Sequence, residues 1–360
     1  MEQLIRILVV PTIPLGYNGI TNVILSYCSN INSNHFQFDF AISCGAMEWV
    51  REIIKSVRGK IYDLPSRKKN PFLYMQMLKT IIQNNEYEIV HVHGNSGTMA
   101  IDIHAAKLGG AKIRIAHCHN STNKYKLTHK VLKPIMNRET THFLACSDLA
   151  GKWAFSQPYT VLKNGIDVKK FIYNEKIRKE YREKLGIADN FVIGHIGHMS
   201  YQKNHEFLIS VFYEIYKVNN KAKLLLIGDG KNRPLIENQI LKLSLENAVI
   251  MLGKRNDVNN ILQAMDVFVL PSRYEGLGIV NIEAQAAALK CVVADTIPAE
   301  AKITDNIEFL SLNSPKELWR DTILKYIDGY ERENMYEQIR GKGYDIQDVV
   351  KKLEKIYLGQ

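Results

Sequence analysis

Two glutamates eight residues apart carry the strongest chemical signal in the chain: Glu275 and Glu283, in Pro271-Ser-Arg-Tyr-Glu-Gly-Leu-Gly-Ile-Val-Asn-Ile-Glu283. The apolar run Asp266 to Leu270 before them reads as a buried strand, and a helix beginning near Gly276 or Leu277 would hold Glu283 about two turns inside. At ~1.5 Å rise per residue the two carboxylates would stand roughly 12 Å apart, wider than the ~5 to 9.5 Å pair of a glycoside hydrolase. A carboxylate on an apolar helix needs a partner, and a diol donating two hydrogen bonds is a natural one; a solvated helix face is the plainer reading. Upstream, Gly197-His-Met-Ser-Tyr-Gln-Lys203-Asn204 follows another apolar run and precedes a helix with Phe207, Leu208, Val211, Phe212 and Ile215 on one side. A glycine turn and Lys203 at a helix start suit an anion, because the helix end and the ammonium act in the same direction. The alternative is a solvated lysine in a cap.

The first half offers weaker signals. Pro11 to Gly19 lacks the Gly-x-Gly-x-x-Gly of dinucleotide sites, although Gly16 and Gly19 put permissive backbone at a helix start. His91, His93, His117 and His119 form two alternating pairs at strand ends, and period-two spacing puts each pair on one strand face. No carboxylate accompanies them at ligand spacing, so hydrogen bonding to a polar substrate is favoured over a metal, and His91 reads as a core histidine.

The elements that must hold these residues are short β-branched runs alternating with amphipathic helices, the pattern of parallel sheets with crossovers. Strands are expected at Ile5 to Val10, Phe36 to Ile42, Lys60 to Leu64, Ile89 to His93, Ile113 to His117 and His142 to Cys146. A second series covers Phe191 to Ile196, Leu224 to Ile227, Val249 to Leu252, Val267 to Leu270, Val292 to Ala294 and Phe309 to Leu310, and a strand-free helical pattern closes the chain from Pro315 to Leu358. The expected fold class is α/β, with doubly wound domains at 1–164 and 191–344 joined by a charged linker at 165–190, and a last helix near 345–360 packing back on the first domain. Ligands in such sheets bind beyond the carboxyl ends of the strands, and two such domains would enclose one cleft.

The 360 residues carry a net +10, and all of it falls in the first half: 21 basic against 11 acidic residues in 1–170, and 26 against 26 in 171–360. An anionic partner for the first half is implied, or simply solubility. Nucleic acid is set aside, since neither an aromatic-basic strand nor a recognition helix is present. Five scattered cysteines without Cys-x-x-Cys point to a reduced, cytoplasmic protein without a zinc site. No run approaches the ~18 apolar residues of a membrane span, so membrane contact is expected to be peripheral, on the inner face of the plasma membrane.

The Glu275-x7-Glu283 stretch within Pro-Ser-x-x-Glu-Gly-Leu-Gly resembles the signature of retaining GT-B glycosyltransferases of family 4, and the likeness extends over nearly the whole chain. Asn164-Gly-Ile-Asp167 with Phe171 is similar to that family's interdomain segment, Gly197 to Asn204 to its phosphate loop, and Gly253-Lys-Arg255-Asn-Asp257 to its nucleotide-base loop. The resemblance implies two facing Rossmann-like domains and metal-independent transfer of a sugar from a nucleotide-sugar, UDP by default, with retention at the anomeric carbon. By position it implies that Glu283 holds the ribose hydroxyls, Glu275 faces the donor sugar, and Lys203 neutralises the diphosphate. The Gly276, Leu277, Gly278 and Ile279 amides, with Gly197, His198 and Arg255, would complete the donor site. Gly16 and Gly19 would approach phosphate and acceptor, and His117 or His119 the transferred sugar.

Two departures stand out. His198 replaces the arginine usual after the phosphate-loop glycine, and Asn18-Gly19 with Thr21 replaces Gly-Gly followed by glutamate. Weaker diphosphate binding is expected, not an inert protein. A non-hydrolysing nucleotide-sugar epimerase and a non-catalytic sugar-nucleotide-binding partner are the competing readings. For the acceptor, two basic patches, Arg67, Lys68 and Lys69, and Lys124, Lys126, Lys130 and Lys133 among apolar residues, suit an anionic membrane surface and a polyprenyl-diphosphate-linked saccharide in capsule or exopolysaccharide assembly.

Overall fold

The computed structural model describes residues 4–120 and 126–360, so Lys124 and Tyr125 lie outside the described residues. The chain divides into two compact units, one of residues 1–166 with 343–360, the other of residues 167–342. Each is a fully parallel sheet with helical crossovers. The first holds β1 (Ile5–Pro11), β2 (Phe36–Ile42), β3 (Ile61–Asp63), β4 (Ile89–Gly94), β5 (Ile113–Cys118), β6 (His142–Ala145) and β7 (Thr160–Val161) in the order β3-β2-β1-β4-β5-β6-β7. The second holds β8 (Phe191–Ile196), β9 (Ala222–Ile227), β10 (Val249–Gly253), β11 (Val267–Leu270), β12 (Lys290–Ala294) and β13 (Ile307–Leu310) in the order β10-β9-β8-β11-β12-β13. Both orders turn back beside the first strand, between β1 and β4 and between β8 and β11. At such a switch point neighbouring crossovers leave on opposite faces and open a crevice at the strand ends.

The strands form where expected, and β7 is new: two residues carry too little pattern to stand out. Their continuous apolar character follows from burial on both faces. Ile7 to Val10, Val192 and Ile193, Leu224 to Leu226 and Val267 to Leu270 are at most 1% exposed. In β8 the tightest point is Gly194, where a Cβ would sit 1.9 Å from the Met265 sulfur, so a side chain there would have to displace Met265 from the face of the sheet.

Of the stretch expected as a linker, 165–190, all but the first two residues belong to the second unit. Its helix Glu175–Lys184 buries Tyr181 and sends Arg178 and Arg182 to the Asp266 carboxylate at the start of β11. Asp266 also accepts from the Val192 amide at 2.7 Å, so one side chain ties that helix to two strands. A high charge density looked like a solvated linker because the partner lies some 85 residues away. The chain passes back at Ile166, which hydrogen bonds with Tyr344 and Ile346, and Gly165 makes room, since a Cβ there would meet the Ile346 backbone at 3.0 Å. The closing helix Ile346–Tyr357 then packs in the first unit against the helix Gly19–Asn30.

Asp266→Ala leaves two arginines without their carboxylate; removing one partner of a buried pair costs ~3–5 kcal/mol. Urea denaturation of the variant is expected to show a clear drop in midpoint at unchanged slope, and an unchanged midpoint would deny Asp266 its anchoring role.

Candidate functional site

The second unit's candidate residues converge at its switch point. β8 leads into Gly197 and exposed His198, then a 3-10 turn, Tyr201–Lys203, and the helix His205–Val218. β11 leads into Pro271 to Gly278. The two loops are joined: the Arg273 amide donates to the Gln202 carbonyl at 2.8 Å, its Nε to the Tyr201 carbonyl at 3.2 Å, and its guanidinium lies 4.2 Å over the Tyr201 ring. This clamp places Lys203 Nζ 2.6 Å from Glu275 Oε1, with the side chains only 14% and 8% exposed. The Ser272 hydroxyl donates to the same oxygen at 3.0 Å. Gly197 lies under the Lys203 chain, whose carbons would be 2.9 to 3.1 Å from a Cβ there. Gly228 comes closer still, as a Cβ would fall 2.1 Å from the Gly197 carbonyl and its φ of +130° is open to glycine.

The Glu283 helix spans Ile279–Ala286, two to three residues later than expected, because Gly278 caps it in the left-handed region (φ 70°). Glu283 therefore stands little more than one turn inside. No side chain caps this helix; the Asn281 amide donates to the Gly278 carbonyl at 2.8 Å, while the Ile279 and Val280 amides keep their hydrogen-bonding capacity among the described residues. Gln285 fixes the inner face by accepting from the Ile303 and Thr304 amides and donating to the Ala301 carbonyl. Glu283, two residues earlier, is half-buried and makes no hydrogen bond or ion pair among the described residues. Burial raises its carboxyl to about 7. Arg255, at the end of β10, is held by Asp257 through two hydrogen bonds of 2.8 and 2.6 Å; those bonds lower the Asp257 carboxyl to about 2, and Tyr181 also donates to it.

In the first unit Gly16 and Gly19 follow β1. The Gly16 amide donates to the Thr21 hydroxyl at 3.0 Å, which in turn bonds Asn18 Oδ1, the side chain capping the helix Gly19–Asn30. Thr21, fully buried, thus closes the loop on itself where the family pattern has glutamate. The four histidines do not form two separate pairs. Register sets His93 opposite His117, and all four rings gather at the ends of β4 and β5. His91 stacks 4.0 Å from His93, and His117 lies 4.1 Å from His119. Hydrogen bonds link His91 Nε2 to His117 Nδ1 (3.2 Å), His93 Nδ1 to His119 Nε2 (2.9 Å), and His91 Nδ1 to the Tyr357 hydroxyl (2.7 Å). Burial holds the His91, His93 and His117 rings far below the usual imidazole range and lowers His119 to about 4, so the cluster is neutral. Ligand atoms of His91, His93 and His117 lie within 4.8 Å of one another, close enough for a metal, but both nitrogens of His91 are engaged in hydrogen bonds. Sequence reasoning missed Tyr357, since periodicity reveals the apolar side of a terminal helix without revealing which strand it meets.

Residues 177–342 match the glycosyl transferases group 1 family. The second unit is a group 1 glycosyltransferase domain. Over 95% of its length the chain is 29% identical to EpsF of Bacillus subtilis strain 168, named as a glycosyltransferase, covering 94% of that protein. It is 28% identical, over 89% of this chain and 88% of the other, to the UDP-Gal:alpha-D-GlcNAc-diphosphoundecaprenol alpha-1,3-galactosyltransferase of Escherichia coli. Among solved structures, HepE of Anabaena in complex with UDP superposes with a TM-score of 0.81 at 17% identity over 99% of this chain and all of that one; HepE is also known with UDP-glucose. The glycosyltransferase architecture is therefore GT-B, in both units and along the full chain.

The raised Glu283 carboxyl has a direct consequence. Its folded pKa exceeds the ordinary ~4.3, so the folded state binds the extra proton between those values and stability falls as pH rises from about 4.5 through 7. Glu283→Gln removes that dependence; the wild-type minus Glu283→Gln stability difference, read from urea titrations, is expected to decline across this window, and a flat difference would show that Glu283 is not desolvated.

Proposed function

We propose that the protein is a retaining, metal-independent glycosyltransferase that moves a sugar from a UDP-sugar to a hydroxyl of a lipid-linked saccharide in cell-surface polysaccharide assembly. The observation that carries this reading is the set of groups at the β8–β11 switch point of a group 1 domain: Lys203 beside Glu275, a helix start without a side-chain cap, and at Glu283 a carboxylate without a partner among the described residues. UDP is favoured by the names of the E. coli relative and the HepE complexes, and the lipid-linked acceptor by the former.

In this reading the Glu283 carboxylate accepts both ribose hydroxyls and the helix-start amides meet the diphosphate. Lys203 is drawn from Glu275 toward the departing phosphate, leaving Glu275 to the donor sugar. As the anomeric bond breaks, negative charge grows on the leaving group, and the ammonium and helix terminus stabilise it most in the transition state. Exposed His198, where the resemblance would place an arginine, faces the same phosphate. The acceptor attacks from the face the nucleotide leaves, and its proton passes to the departing phosphate. His119, partly exposed at the end of β5, contacts the transferred sugar, and Gly16 and Gly19 present the first unit's loop to phosphate and acceptor.

Membrane docking belongs to the same reading, on revised residues. Arg67 pairs with buried Asp102, and Lys133 donates to the Trp153 carbonyl, so neither belongs to an outer patch. What remains on the helix Lys126–Glu139 is Leu127, Val131 and Ile135, 77, 63 and 37% exposed one turn apart, with exposed Lys126 and Lys130 beside them. Apolar side chains flanked by cations suit an anionic bilayer surface.

Incubation with UDP-, GDP- and ADP-sugars and a polyprenyl-diphosphate saccharide tests the activity: transfer from a UDP-sugar with the donor's anomeric configuration is expected, undiminished by EDTA. Glu283→Ala and Lys203→Ala should each weaken donor binding at least tenfold, ~1.4 kcal/mol or more; wild-type titrations for both would remove the donor-site assignment. Sedimentation with anionic liposomes should fall with salt and in the Lys126→Glu, Lys130→Glu double variant. Indifference to both would leave a soluble acceptor as the better reading.

A further inference from the structure

A cavity of about 550 Å³ opens beside the start of the helix His205–Val218, within the ~300–1,000 Å³ usual for small-molecule sites. None of Lys203, Glu275 and Glu283 lines it. Four stretches of the second unit build its wall: the turn and helix start after β8, with Tyr201 and Glu206; the helix Arg233–Lys242, with Gln239; the loop after β11, with Arg273; and the segment after β13, with Asn313 and Lys316. Of its ten lining residues only Phe207 and Leu312 are wholly apolar, and Phe207 is fixed by an edge-to-face contact with buried Trp319, ring centroids 5.3 Å apart.

The polar groups of this wall are largely unspent. Gln239 uses its Nε2 on the Glu206 carbonyl at 2.9 Å and the Ser210 hydroxyl at 3.1 Å, while its Oε1 accepts nothing among the described residues. The Glu206 carboxylate, the Asn313 side-chain amide and the Lys316 ammonium have no hydrogen bond or ion pair among those residues either. Arg273 gives its Nε to the Tyr201 carbonyl and meets no carboxylate there. Tyr201 is 63% exposed although that guanidinium covers one face of its ring.

Donors at Arg273, Lys316 and Asn313 therefore stand with acceptors at Glu206 and Gln239 around an exposed aromatic ring. An apolar ligand would strip water from these groups and leave them unpaired, which is unfavourable. A phosphate dianion only accepts, and it would have nothing to offer Glu206 or Gln239 Oε1. Sugar hydroxyls donate and accept at one oxygen, and the C–H side of a pyranose suits an aromatic ring. We propose that this cavity is a second saccharide-binding site, separate from the donor site, that holds a short run of sugar residues. Its ligand rests on Tyr201 and Arg273, the side chains that also join the loops of Lys203 and Glu275. The proposal needs a sugar-transferring domain, but neither the nucleotide nor the acceptor assigned above.

The test titrates full-length protein with maltotriose, triacetylchitotriose and trigalacturonate, followed by saturation-transfer NMR and calorimetry. Binding of at least one trisaccharide is expected, with an affinity that saturating UDP changes by less than twofold. Asn313 and Lys316 are exposed and lie outside the donor-site residues. The Asn313→Ala, Lys316→Ala double variant should therefore weaken trisaccharide binding at least tenfold and leave UDP affinity as in the wild type. Binding of none of the three, displacement by UDP, or an affinity within tenfold of wild type in the double variant would each overturn the proposal. Failure of UDP to bind would instead undo the proposed nucleotide, while the double variant would still locate the trisaccharide.

Discussion

In a parallel sheet every strand delivers its carboxyl end to the same side, and where strand order turns back the following crossovers must leave on opposite faces. Between β8 and β11 this separates two loops that would otherwise be covered by a helix. The polar residues of the second unit depend on that opening. Lys203 and Glu275 come from the two strands flanking it, and the Arg273 contacts with Gln202 and Tyr201 hold the loops at the spacing that lets them pair. On the face of the sheet beside β11, Gly194 leaves the space that the Met265 side chain fills.

The opening is bounded by groups whose burial is unfavourable. A salt bridge that is nine-tenths buried gains little over the desolvation it costs. Glu283 has no partner among the described residues, and its burial pushes the carboxyl up to about 7. By contrast Asp266, one strand-length away at the opposite end of β11, is satisfied by two arginines and a strand amide. The same strand thus has a fully paired carboxylate at its start and, past its end, one paired with a side chain that a ligand could attract away. Stability is concentrated at the amino end of β11, and unmet hydrogen-bonding capacity at the carboxyl end.

Much of this was legible in the sequence, for physical reasons that also mark where it stopped. The strands stood out because doubly covered strands are continuously apolar. Lys203 and Glu275 stood out because charged residues in the loops after such strands lie at the open edge, and Glu283 because a carboxylate on an apolar helix needs a partner. The start of the Glu283 helix did not, since Gly276 and Gly278 serve equally well in a pattern and only the left-handed φ of Gly278 decides. The helix Glu175–Lys184 looked like a linker because its charges find Asp266 through the fold and not along the chain. The histidines could be assigned to strand ends, but their convergence depends on the β4–β5 register, which pairs His93 with His117.

Register also explains why the first unit's polar residues behave differently from those of the second. Arg6 bonds Asp39 and Tyr87, Arg67 pairs with Asp102, and Arg114 meets backbone carbonyls. Part of the basic excess in this half is therefore structural, spent on closing strand ends and helix contacts inside the unit. The histidine cluster follows the same logic without charge, exchanging hydrogen bonds between neutral rings that burial would not allow to ionise together. The second unit differs in keeping an ammonium paired with a carboxylate and an uncapped helix start at its switch point.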